Sequence, residues 1–293
     1  MPSPLVPVLD AYTAARRGSG HLYPTPVDGL TFMRVEDPTG PLYGSYDVCL
    51  CVVAQGAKQG SFDGATVDYA PGAGLVVGVD VPVMSHVTRA SPEEPFLSLK
   101  LSLDVDLLSE MAEDVPPPTP AAPGVVDGVR VVGLSRPAEE ALTRLAALAQ
   151  APGAVEALQG PRLREAYYWL LRGPSGPDLA RIARPEGAPR RIADAVRRMK
   201  EAFPGPVRVA DLAAAADMGR ASLHAHFKTV TGMSPIQYYK RLRLLEARRL
   251  LLNEPDTTAR DVAYRVGYES PSHFNRDYAR QFGTTPGRDA QAP

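Results

Sequence analysis

Cys49 and Cys51 stand one residue apart in the apolar run Val48–Ala54 and are the only cysteines in 293 residues. Alternate side chains of an extended strand share a face but sit roughly 7 Å apart along the chain, which is long for an ordinary disulfide. The pair is therefore expected to be reduced. A free thiol is usually a small buried hydrophobe, and it senses electrophiles or oxidants only where its pKa is depressed. Tyr46, Met84, His86 and Lys100 lie in neighbouring runs of the same texture, and with Cys51 they are the candidate lining of a small-molecule pocket. Metal chemistry fits poorly. This half of the chain holds His21 and His86 and no His-x-His pair, whereas metal centres need clustered His and carboxylate ligands. No catalytic cluster is visible, so no enzyme activity, metal or cofactor is expected.

The other side chains with chemistry to offer belong to a pattern that occurs twice. Asp211-Leu212-Ala213, Leu223, Phe227, Gly232 and Ser234-Pro235 return as Asp261-Val262-Ala263, Phe274, Tyr278, Gly283 and Thr285-Pro286. Leu223, Phe227, Gly232 and Pro235 recur 51 positions later and Asp211 recurs 50 later, so the second copy has one extra residue in its turn. Such a repeat predicts two helix-turn-helix units in tandem. In the second helix of the first unit, Leu223, Phe227 and Val230 share a core face, and Ala221, His224, Ala225 and Lys228 oppose it, with Arg220 at the helix start. In the second unit Phe274 and Tyr278 mark the core. Ser270, Ser272, His273, Asn275, Arg276 and Arg280 are left as groove-facing candidates. Arg can pair bidentately with guanine, whereas Ala offers a methyl group to thymine; most polar contacts to a duplex go to phosphate. Arg276 is therefore read as a base contact, and Lys228 and Arg280 as phosphate contacts.

The elements that must hold these residues divide by charge. Residues 190–289 hold 18 Lys/Arg and 11 Asp/Glu, and the remainder holds 14 and 22, so a net charge of −1 hides a basic module joined to an acidic one. A basic module suits a polyanion such as nucleic acid, and an acidic neighbour is kept off the same surface. The expected fold is α+β and multidomain. An arm and a barrel of short strands occupy 1–115, with runs at Val48–Ala54, Ala73–Val79, Val83–Thr88 and Phe96–Leu103. A Pro-rich linker (Pro116 to Gly124) and a helical pair, Pro137–Gln150 and Pro161–Leu171, fill 116–172. A second linker spans 173–189, and an all-α double helix-turn-helix spans 190–288. The Ser234-Pro235-Ile236-Gln237 capping box opens a helix to about Leu252, and Ser270 is expected to cap another. That first helix has two apolar faces, Leu244/Ala247/Leu251 and Leu242/Leu245/Leu252, which predicts a lobe packed on each. No apolar run reaches the roughly 18 residues of a membrane span and no signal pattern is present, so a cytoplasmic chain without membrane contact is expected.

The stretch from Asp211 to Pro286, with MGRASLHAHFKTVTGMSPIQYYKRLRLLEARRLLL and DVAYRVGYESPSHFNRDYARQFGTTP, resembles the DNA-binding domain of the AraC/XylS family of transcription regulators. The match covers about a third of the chain. Gly267-Tyr268, Ser270, Phe274, Arg276, Tyr278, Phe282-Gly283 and Pro286 fall where that family's signature puts them. The segments CVVAQGAK and YAPGAGLVVGVDVPV are similar to one N-terminal subgroup. The resemblance implies a cupin-like regulatory barrel, promoter double-stranded DNA and RNA polymerase as partners, a small-molecule effector, a homodimer and activation of transcription. This sequence departs from the family at Ala225, where Arg is common, and at Gly219, which replaces a Ser cap. Readout is therefore expected to rest more on the second unit. Two alternatives stand beside this reading: a cupin-type enzyme with a nucleic-acid docking tail, and a dimeric regulator without a ligand.

Overall fold

The computed structural model describes residues 2–16, 21–62, 65–113, 128–184, 186–254 and 256–291. The first residues are not a featureless arm. They form helix α1 (Val6–Ala14) and strands β1 (Leu22–Pro24) and β2 (Leu30–Val35). Leu5, Leu9 and Tyr12 recur at helical spacing and are buried, which holds α1 on the sheet. The Tyr12 hydroxyl donates to the Pro24 carbonyl at 2.8 Å, and its ring meets Phe32 edge-on at 5.2 Å.

The strands that follow are β3 (Leu42–Tyr46), β4 (Cys49–Gln55), β5 (Ala57–Phe62), β6 (Ala65–Tyr69), β7 (Ala73–Val77), β8 (Val81–Arg89) and β9 (Phe96–Ser102). After helix α2 (Val105–Met111) comes β10 (Val129–Gly133). They pair antiparallel in two sheets, ordered β1-β2-β9-β4-β7-β10 and β3-β8-β5-β6. Strand β4 is apolar from Cys49 to Ala54 because both its faces are covered. Leu50, Val52 and Ala54 join the core that contains the helices, and Cys49, Cys51 and Val53 join the core shared with the small sheet.

Helices α3 (Arg136–Ala147) and α4 (Val155–Arg172) are the expected pair, and Ser135 caps the first by accepting from the Ala138 amide. Ala138, Ala141, Leu142 and Leu145 pack into the chain's own barrel core. The stretch expected to link the domains contains helix α5 (Gly176–Ala183), whose Leu179, Ala180, Ile182 and Ala183 are buried. Its Gly and Pro residues mark a tight turn: a Cβ at Gly176 would lie 1.9 Å from the Leu171 carbonyl oxygen. The Pro-rich linker expected from Pro116 to Gly124 lies outside the described residues.

The helical half consists of α6 (Ala188–Ala202), α7 (Val209–Ala215), α8 (Arg220–Thr231), α9 (Pro235–Asn253), α10 (Ala259–Arg265), α11 (Pro271–Phe282) and α12 (Pro286–Asp289). The α10–α11 turn is one residue longer than the α7–α8 turn, and each carries one left-handed residue at the equivalent place, Asp217 (φ 48°) and Gly267 (φ 84°). Gly232 and Gly283 end α8 and α11 with φ of 81° and 69°, a conformation that favours glycine. The capping box of Ser234 and Gln237 forms as expected, but Ser270 makes no side-chain cap bond. The two apolar faces of α9 also have different covers from those expected. Leu244, Ala247 and Leu251 pack into the second unit, whereas Leu242, Leu245 and Leu252 line a groove against Pro41, Leu42 and Tyr43 of the barrel.

Candidate nucleic-acid interface and regulatory pocket

Each unit anchors its second helix through one row of side chains and leaves the opposite row in solvent. In α8, Leu223, Phe227 and Val230 are fully buried, and Phe227 meets Tyr238 of α9 edge-on at 5.4 Å. Arg220, Ala221, His224, Ala225 and Lys228 are all exposed. In α11, Phe274 and Tyr278 are fully buried, and the Tyr278 hydroxyl donates to Asp289 at 2.7 Å. Ser272, His273, Asn275, Arg276 and Arg280 are exposed, and Ser270 is half-buried at the helix start. Arg280 pairs with Asp277 at 2.8 Å, and Asp277 also holds Lys240 of α9 at 2.5 Å. Ser270 and His273 border a groove of about 670 Å³ between the units, together with Lys240 and Arg243.

The barrel grips both units. On the first, the Gly128 amide donates to the Val230 carbonyl at the end of α8 (2.9 Å), and the Tyr238 hydroxyl donates to the Asp80 carbonyl (2.8 Å). Asp80 also accepts from Ser45 Oγ at 2.5 Å and pairs with Lys200 of α6. On the second, the Arg248 guanidinium lies between the rings of Tyr43 and Phe282, 4.5 and 4.9 Å from their centroids, and pairs with Asp289 at 3.0 Å. The Tyr43 and Phe282 rings themselves meet edge-on at 4.9 Å.

Between the sheets lies a cavity of about 180 Å³ whose lining includes Tyr46, Cys51 and Lys100 from the expected set. Met84 and His86 are not part of it. Val81, Val83, Ser85 and Val87 are the buried alternation of β8, which turns Met84 and His86 to the other face. The other lining residues, Lys58 and Tyr69 among them, escaped the sequence reading. Lys58 sits in AKQGSF, where a lysine beside Gln and Ser reads as a solvated strand position. The alternating burial of β5 could have found it, since Lys58, Gly60 and Phe62 share the inward face. Lys58 Nζ donates to Tyr46 Oη at 3.1 Å and to Met33 Sδ at 3.6 Å, and burial pushes its pKa down. Lys100 instead pairs with Asp47 at 2.6 Å. Cys49 and Cys51 are both reduced, with sulfurs 3.8 Å apart. The hydrogen bond from Cys49 lowers the Cys51 pKa against the opposing effect of burial, helped by the charges of Lys58 and Lys100, while Cys49 is pushed well up.

A family model described as AraC-type transcriptional regulator N-terminus matches residues 26–178, and one described as helix-turn-helix domain matches residues 212–292. The chain belongs to the AraC-type transcriptional regulators. Its two matched parts are those of a DNA-binding transcription regulator. The regulator is 38% identical over 77 residues to the HTH-type transcriptional regulator MtrA of Neisseria gonorrhoeae, covering 26% of this chain and 25% of that protein. It is 40% identical over 74 residues to the HTH-type transcriptional activator RhaS of Enterobacter sp. (strain 638), covering 24% and 26%. The chain thus spans about a quarter of the length of these curated relatives. Over nearly its whole length the AraC-type chain shares a fold with ToxT from Vibrio cholerae strain SCE256, solved with an unsaturated fatty acid bound. The TM-score is 0.55 at 9% identity, covering 94% of this chain and 96% of that one. At that identity the likeness is one of fold. Among the described residues no helix is long and apolar enough to cross a membrane.

Proposed function

We propose that this regulator reads promoter DNA by placing α8 and α11 in successive major grooves, under control of a small molecule held in the barrel. The observation that carries this is the matched pair of second helices, each with a buried apolar row and an exposed polar row. Alpha-helices at this station read base edges with their exposed face, and two such helices held by one linker suit grooves about 34 Å apart. Arg276 and Asn275 are the hydrogen-bonding readers of the second unit. Ala221, His224 and Ala225 form a shallower reading surface on the first, with Arg220, Lys228 and Arg280 on phosphates and Ser270, Ser272 and His273 at the groove edge. The RhaS relative is an activator, which favours activation and a contact with RNA polymerase here. A second copy is the natural partner of the face on α4 where Leu158, Tyr168 and Trp169 are exposed.

Strand β3 provides a route from ligand to DNA. Within four residues it carries Tyr46 at the cavity, Ser45 on Asp80 and Tyr43 on Arg248 and Phe282. A ligand that favours one position of β3 would shift how both units are held. The open cavity favours this over a barrel that serves only to dimerise. The lowered Cys51 pKa supports a second reading, in which the effector is an electrophile that alkylates Cys51. The DNA reading is tested by comparing Arg276→Ala with Lys228→Ala on specific and scrambled duplexes. The first should cost about 1–3 kcal/mol and relax preference at one base position, and the second should weaken both duplexes alike and reduce the salt slope by about one. Equal effects of the two variants on both duplexes would reject the division of roles.

A further inference from the structure

We propose that the cavity between the sheets binds a compact monocarboxylate, its carboxylate held by Lys58 Nζ and by the hydroxyls of Tyr46 and Tyr69. The inference rests on the reading of the barrel as a sensing domain and names the chemistry of what it senses.

The lining is rich in hydrogen-bond donors. It carries two lysines and no carboxylate. Lys100 is already neutralised by Asp47, which also accepts from Ser102 at 2.8 Å. Lys58 is only 6% exposed, and among the described residues no carboxylate pairs with it. Neither cysteine sulfur is among its hydrogen-bond partners. An ammonium has three protons to donate, and Tyr46 and Met33 take two. Tyr46 Oη accepts from Lys58 and so keeps its own proton to give. Tyr69 Oη is buried beside the Tyr46 hydroxyl and has no other polar partner. These donors therefore converge on one space, around a positive charge that no carboxylate of the lining neutralises. Burying such a charge alone is costly, and a buried hydroxyl left unpaired adds to the cost. A single carboxylate answers both, because it brings one negative charge and accepts several hydrogen bonds.

The walls set the rest of the ligand. Met33 is the apolar inner wall, and Leu22, 51% exposed, stands at the rim. A volume of about 180 Å³ is below the roughly 300–1,000 Å³ of pockets for drug-sized molecules. A short apolar body with one charge fits, and a long acyl chain or a polyanion does not.

The test uses the full-length chain, melted with phenylacetate, 3-methylbutanoate or hexanoate and with the neutral, same-shaped phenylacetamide. At least one carboxylate should raise the melting temperature, and phenylacetamide should not. Lys58→Met should melt at or above the unliganded wild type, since it removes an unpaired buried charge, and should lose about tenfold or more in carboxylate affinity. Tyr69→Phe should likewise weaken binding without destabilising the free chain. No rise with any of the three carboxylates overturns the assignment, as does full carboxylate binding by Lys58→Met or a lower melting temperature of that variant without ligand. An equal rise with phenylacetamide, kept in Lys58→Met, also overturns it while leaving the barrel a ligand-binding domain. Carboxylate binding that follows Lys58 but leaves DNA affinity unchanged upholds the site and overturns the sensing role.

Discussion

Arg276 and Ala225 show how much one side chain decides in a module whose backbone is repeated. Both sit on exposed faces of equivalent helices, yet only the arginine can form paired hydrogen bonds with a base, so the proposed readout is unequal between the two units. In the barrel, Asp47 has a similarly local role that pH can reveal. Burial alone would raise its pKa, but hydrogen bonds from Lys100 and Ser102 outweigh it and hold the carboxyl below its ordinary value. A carboxylate whose pKa is depressed on folding stabilises the fold fully above its unfolded pKa of about 3.9, and that contribution is lost as pH falls through the folded value. The stability difference between wild type and Asp47→Asn should therefore shrink as pH is lowered from about 6 to about 3, measured by urea unfolding at each pH. A difference that stays constant over that range would show that the Lys100–Asp47 pair adds nothing to folding. Asp47 is partly exposed, so the effect should be modest and should fall with added salt.

At the scale of elements, β3 and α9 meet at Tyr43, Arg248 and Phe282, and this contact belongs to the second unit alone. Tyr43→Ala removes an edge-on ring pair and a cation–π contact, together about 1–2 kcal/mol. Amide hydrogen exchange should accelerate in α10 and α11 and stay unchanged in α7 and α8; acceleration spread evenly over both units would deny that Tyr43 acts on one of them. The same elements show what the sequence made legible. Helices α8, α9 and α11 were readable because their apolar rows keep a helical period and Gly232, Gly283 and the Ser234 box mark their ends. Helix α5 was hidden by the Gly and Pro residues of the turn that precedes it, and α1 by the short length of its Leu5, Leu9, Tyr12 stripe. Only part of the cavity was readable, since Tyr46, Cys51 and Lys100 lie in runs of strand texture. Lys58 and Tyr69 became visible only through pairing, because the register Lys58↔Tyr69 sets them side by side on one face. Met84 and His86 were lost to the same parity rule, and the second apolar face of α9 could not reveal that a barrel strand covers it.

Across the whole molecule, the charge division and the two grips act together. The basic half exposes a polar row on each of α8 and α11, the rest of the chain carries the net negative charge, and the barrel holds the first unit at Gly128 and Asp80 and the second at Tyr43. The relative placement of α8 and α11 is therefore set by the barrel as well as by α9. That arrangement suits a protein whose ligand changes the geometry of DNA reading without touching the DNA. The most direct test is selection of bound sites from random duplex DNA by the full-length chain, followed by salt titration on the best site and a scrambled one. The account predicts a motif of two blocks about one helical turn apart, with the richer base preference in the block read by α11. Recovery of no motif, with equal and salt-sensitive binding to every sequence, would contradict tandem recognition and reduce the basic half to an electrostatic docking surface.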